Sequence, residues 1–157
     1  MLDITYLFCV YSVLGWITEV VFFFVKTGKF HKRGILRGTY CPLYGFSLAV
    51  CAALTDGMPL IGTVLICGLV CTAIEFICGV VFDKLLGRVM WDYEDRRHNV
   101  AGYVCAEFAV IWAVTAALCV KIADPVLLAA GTAVKSGVCI ALCAGMIADM
   151  VSFVKIT

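Results

Sequence analysis

Four carboxylates stand where a carboxylate is costly. Glu19, Glu75, Glu107 and Asp149 each fall inside an apolar stretch. Each lies about six to eight residues from the basic loop or tail flanking its stretch, a depth of ~9–12 Å at ~1.5 Å per helical residue. An ionised side chain in hydrocarbon costs ~3 kcal/mol or more, so it normally faces a protein interior or a water-filled cavity. Three chemistries are open to such a layer. The acids could be neutral and hydrogen-bonded, fixing helix register. They could pair with arginines reaching in from the loops. They could take up a proton or a cation, as intramembrane carboxylates do in transporters. Trp16, three residues before Glu19, shares its helix face and could wall a cation site with its ring.

Two loop segments add polar chemistry. In Arg33-Gly34-Ile35-Leu36-Arg37-Gly38-Thr39-Tyr40-Cys41-Pro42-Leu43-Tyr44-Gly45, two arginines precede a helix start punctuated by glycine and proline. A helix N-terminus presents free N–H groups, so Arg33, Arg37, Tyr40 and Tyr44 could bind a phosphate or carboxylate there. The same residues also suit an interfacial aromatic belt with snorkelling arginines. The second segment runs from Met90 to Tyr103. Asn99 is expected to cap the following helix, and Asp92, Glu94 and Asp95 to pair with Arg96 and Arg97 or with basic groups of the first loop. This segment is either a solvated, salt-bridged loop or a lid over the acid layer. His31 and His98 read as solvated loop residues.

The elements that must carry these groups are membrane helices. Of 157 residues, 64% are apolar, against about half in a soluble domain. The apolar runs are continuous, which argues against the alternation of a barrel. The expected fold is all-α: one polytopic membrane domain over 1–157, with about five spans. They are placed at Ile4–Val25, Cys41–Leu54, Leu60–Phe82, Ala101–Val120 and Ser136–Val154. An interfacial piece runs to Lys135 after a turn at Asp124-Pro125, with one long tilted helix as the alternative. The second span is short for a ~30 Å hydrocarbon core. Ten of the twelve Lys and Arg residues fall on one side of this arrangement. The positive-inside rule then puts the N-terminus outside and the C-terminus in the cytoplasm. The N-terminus does not read as a cleaved signal peptide.

Ten cysteines are many for this length. Cys67/Cys71 and Cys139/Cys143 are i,i+4 pairs that could hold Cu(I) or zinc. Cysteine is also a small apolar residue that packs well, and core packing is the expected role, with no metal or other cofactor. Gly137, Ala141 and Gly145 line one face of the last span, suiting close packing within the chain or a dimer interface. A weak parallel repeat relates Glu19 and Gly38-Thr39-Tyr40-Cys41 to Glu75 and Gly102-Tyr103-Val104-Cys105.

Several spaced motifs carry a resemblance. They are Tyr11-Ser12-x-x-Gly15-Trp16-x-x-Glu19, Arg33-Gly34…Gly38-x-Tyr40-Cys41-Pro42-x-Tyr44-Gly45, Glu75, and Trp91-Asp92-Tyr93…Asn99-x-x-Gly102. From Tyr11 to Trp112 the chain resembles the small bacterial membrane proteins grouped as putative ABC-transporter type IV (CmpB-like). The resemblance implies a multi-pass protein of the bacterial inner membrane and a link to transport. The chain has no G-x-x-x-x-G-K-[ST] phosphate loop, so any ATP hydrolysis belongs to a separate ATPase chain.

The reading that follows is a small transport or solute-binding membrane component with an acidic site in the cytoplasmic third of the bilayer. Glu19, Glu75 and Glu107 handle a proton or cation there, while Arg33, Arg37, Tyr40 and Asn99 shape the entrance. Expected partners are membrane lipids and a second copy or partner membrane subunit, and not nucleic acid. Two alternatives stand beside it. One is an enzyme acting on a lipid-type substrate, with Cys41 or Cys105 as nucleophile but no positioned histidine. The other is a non-catalytic scaffold or regulatory subunit.

Overall fold

The computed structural model describes residues 1–30 and 36–154, with side chains through residue 152. The continuous apolar runs become long helices. Helix α1 is Leu2–Thr27, α2 is Pro42–Leu54 and α3 is Leu60–Leu86. A two-stranded hairpin follows, β1 (Asn99–Val100) against β2 (Val104–Cys105). Helix α4 (Ala106–Leu118) continues through a π-helical turn, Cys119–Ala123, into α5 (Asp124–Leu128), and α6 is Thr132–Val154. The long helices stop where glycine allows it. Gly28 and Gly87 take left-handed conformations (φ 68° and 59°) that return their N–H groups to the last turns of α1 and α3.

Four of these helices are long and apolar enough to cross a membrane: α1, α3, α4 with its continuation through Leu128, and α6. The fifth, α2, has 13 residues and spans only ~20 Å at ~1.5 Å per residue. The chain is an all-α membrane helix bundle.

Two expected boundaries are corrected. The fourth long helix begins at Ala106 rather than Ala101, because the preceding residues turn back on themselves. His98, Ala101 and Gly102 all have positive φ (56°, 53° and 73°), which no helix start accommodates. Asn99 therefore caps no helix; it pairs with Cys105 in the hairpin. The second correction concerns Asp124-Pro125, where no turn forms. The helix passes straight through this pair. Proline lacks an N–H and crowds the carbonyl four residues back, and the wider π turn immediately before it is how such a residue is absorbed. The break comes instead at 129–131, and α6 starts at Thr132, ahead of Lys135.

The chain divides into two compact units, Met1–Ala49 with Leu127–Thr157, and Val50–Val126. In the first, α1 and α6 run parallel. Lys135 Nζ donates to Asp3 Oδ1 at 2.6 Å, and Cys9 Sγ lies 3.6 Å from Cys143 Sγ further along both helices. Between them Tyr6, Cys9 and Cys139 form a buried cluster covered by Phe8, Val138 and Leu142. In the second unit α3 and α4 pack antiparallel, with Gly68 so close that a Cβ there would stand 2.8 Å from Ala113 Cβ. At Gly137 and Gly145 of α6 a built Cβ would meet no described atom of another element within 4 Å, although the Gly145 carbonyl accepts from the Tyr40 hydroxyl at 2.9 Å.

Candidate functional site

In the first unit the motif residues of α1 serve one contact. Cys41 N–H donates to the Ser12 carbonyl at 2.7 Å, docking the start of α2 on α1. The Tyr44 ring then lies directly on Gly15, where any side chain would collide with its Cβ, Cγ and Cδ2. From that seat the Tyr44 hydroxyl donates to Glu19 Oε1 at 2.7 Å. Glu19 and Trp16 are both half-buried, on successive turns of α1.

The expected anion site ahead of α2 holds an anion of the protein's own. Gly38 N–H donates to Asp149 Oδ2 at 2.6 Å, and the Tyr40 hydroxyl stands 2.5 Å from the same oxygen and 2.9 Å from the Gly145 carbonyl. A phenol has one proton, so it serves one of these acceptors at a time. Burial first, and then the Asp149 carboxylate, pushes the Tyr40 phenol up to about 12. Arg37 is exposed, and Arg33 and His31 lie outside the described residues.

In the second unit Glu75 is buried at 5% exposure, and the Tyr93 hydroxyl donates to its Oε1 at 3.1 Å. Tyr93 reaches it from the loop by stacking on Phe108, ring centroids 4.8 Å apart. Tyr103 lies against Gly79 and donates to Asp83 Oδ2 at 2.6 Å; that hydrogen bond raises its phenol above the ordinary tyrosine range. Asn99 organises the loop, donating through Nδ2 to the Glu94 and Arg96 carbonyls while its Oδ1 accepts from Gly102 N–H. Trp91 Nε1 pins the loop to the Tyr103 carbonyl at 2.8 Å.

A family model described as "Putative ABC-transporter type IV" matches residues 6–154 of the 157. The chain belongs to this family. The match runs through α6, beyond Trp112, where the motif resemblance ends. No curated protein and no solved structure matches the chain. Membership and the apolar helices together make this a multi-pass membrane protein related to ABC transporters.

Within this family member, the four acids are held in different ways. Glu19, Glu75 and Asp149 accept from tyrosine hydroxyls. Glu107 falls in the first turn of α4 because the helix starts late, and its exposed carboxylate meets Arg96 Nη1 at 3.0 Å. That is a correction to its expected depth. Glu75, conversely, sits nearer the middle of its helix than one face, since α3 runs on to Leu86.

Three contacts went unforeseen. They are Tyr93 with Glu75, Tyr103 with Asp83 and Tyr40 with Asp149. The first two partner carboxylates 18 and 20 residues away, and the third one 109 away. No helical or strand period links such positions.

Each thiol pair is met by a third cysteine. Cys51 Sγ is 3.7 Å from Cys71 Sγ and also reaches Cys67; Cys9 reaches Cys139 as well as Cys143. None of the ten cysteines is in a disulfide. Among the described residues no three His, Cys, Asp or Glu side chains stand together as metal ligands. Cys105 is buried at 2% exposure.

Proposed function

We propose that the chain is a small membrane transport component in which Glu19 and Glu75 take up and release a proton or cation. One observation carries this reading. Glu19 and Glu75 lie inside helices apolar and long enough to cross a membrane, and each accepts from a tyrosine hydroxyl that holds its carboxyl in place. An ionisable side chain at such a position is costly, and in membrane proteins it commonly serves the passage of a proton or ion.

The orientation proposed is N-terminus outside and C-terminus in the cytoplasm of a bacterial inner membrane. Parity supports it. Parallel α1 and α6 require an odd number of crossings between them; α3 and α4 supply two, so the short α2 counts as the third. The basic segments 26–37 and 84–97 then share the cytoplasmic side. Trypsin should cut at Arg96 and Arg97 in inside-out vesicles and spare them in right-side-out ones. A second copy or partner subunit is proposed to complete the transport path, with ATP hydrolysis in a separate chain.

The test is reconstitution into vesicles containing a pH-reporting dye. An imposed pH gradient should dissipate through the wild-type chain and more slowly through Glu19→Gln or Glu75→Gln. Wild-type rates in both variants would remove the carboxyls from the mechanism.

A further inference from the structure

Two thiol contacts join different helices. Cys9 Sγ of α1 lies 3.6 Å from Cys143 Sγ of α6 in the first unit, and Cys51 Sγ of α2 lies 3.7 Å from Cys71 Sγ of α3. A disulfide holds its sulfurs at ~2.05 Å, so either pair becomes one through an approach of about 1.6 Å. In the first pair the Asp3–Lys135 contact, nearer the starts of α1 and α6, holds the two helices in register.

What separates the pairs is access. Cys51 and Cys71 are both buried, at 0% and 1% exposure. Cys9 is as well covered, but Cys143 is only partly buried. Ile140 and Ile147, three residues before it and four after, share its face of α6 and are exposed. In a bilayer such an apolar face meets lipid tails. The Cys143 thiol is thus approached from the acyl chains. Cys139 also reaches Cys9 but is itself buried. Apolar surroundings favour a product without net charge. A metal takes thiolates rather than thiols, and two thiolates on a monovalent ion bury a negative charge. A disulfide is neutral, as are the two thiols it replaces.

We propose that Cys9 and Cys143 form a reversible disulfide, with a quinone dissolved in the bilayer as oxidant. Both S–H bonds break and one S–S bond forms; the two electrons and two protons released reduce the quinone to its hydroquinone. The bond ties α1, which carries Glu19, to α6 across 134 positions of sequence. A dithiol reductant reopens it by exchange.

The experiment incubates the reduced full chain in phosphatidylglycerol vesicles with decylubiquinone. Remaining thiols are alkylated after denaturation, and linked peptides are identified by mass before and after dithiothreitol. The wild type should yield the Cys9 peptide joined to the Cys143 peptide within one chain, two hydrogen atoms lighter than the separate peptides and released by the reductant. Cys51 and Cys71 should be recovered alkylated, with any link between them forming at least tenfold more slowly. Cys143→Ser should leave Cys9 alkylated, and its helical circular dichroism under reducing conditions should match the wild type. No Cys9–Cys143 link in the wild type overturns the proposal, as does a Cys143 link between two chains in its place. A Cys9–Cys139 link that forms at wild-type speed in Cys143→Ser overturns the choice of partner. Equal rates for the two wild-type pairs overturn the argument from lipid access. The carboxyls' role is judged separately, by the pH-gradient measurement.

Discussion

Replacing Gly15 with alanine tests how Glu19 is held. A Cβ at this position would stand 2.8 Å from Tyr44 Cδ2, with Cγ and Cβ nearer still. Restoring Cδ2 alone to an ordinary 3.4 Å needs 0.6 Å of movement, so the ring as a whole retreats by about 1 Å. The Tyr44–Glu19 hydrogen bond of 2.7 Å then opens past the ~3.2 Å limit of a sound bond. Overpacking costs about 1–3 kcal/mol, and the lost hydrogen bond adds about 1 kcal/mol. The alanine recovers up to about 1 kcal/mol of helix propensity. Gly15→Ala should therefore destabilise the chain by about 1–3 kcal/mol, measured by denaturant unfolding in micelles. In a Tyr44→Ala background the obstacle is gone, and the same substitution should become neutral or stabilising by up to about 1 kcal/mol. Equal destabilisation in both backgrounds would show the two sites to be independent and refute the packing of Tyr44 on Gly15.

Further outcomes follow from the other contacts. The Tyr40 phenol is held above its ordinary value of 10 at about 12, so the fold binds this proton more tightly than the unfolded chain does. The resulting stability is complete below pH 10 and disappears as pH rises towards 12. The stability advantage of wild type over Tyr40→Phe should accordingly shrink across that window in alkaline unfolding; a widening gap would contradict the assignment. Glu107→Gln breaks an exposed pair and should cost under ~1 kcal/mol. Asp3→Asn strands the Lys135 ammonium, whose side chain is only 11% exposed, and should cost about 1–3 kcal/mol. The reverse order of these two would contradict the burial of Lys135.

The helices were legible because continuous apolar runs admit little else in a bilayer, and α1, α2 and the start of α3 fall within two residues of their expected bounds. What stayed hidden depended on conformations the residue types do not advertise. His98 and Ala101 adopt positive φ without being glycine, and that moved the start of α4 past Glu107. Pro125 reads as a stop signal, yet a π turn carries the helix through it. The motif glycines were visible as motifs, but their purpose was not: Gly15 is empty space reserved for Tyr44, a residue on another helix. The carboxyl partners Tyr40, Tyr93 and Tyr103 come from loops, where sequence spacing says nothing about which helix a ring will reach.

The most direct measurement sets Glu107→Gln beside the double variant Glu19→Gln/Glu75→Gln in the same dye-loaded vesicles. Dissipation of the pH gradient at wild-type speed through Glu107→Gln, and little through the double variant, is the predicted result. Equal rates through all three proteins would contradict the claim that the tyrosine-held carboxyls carry the transported charge.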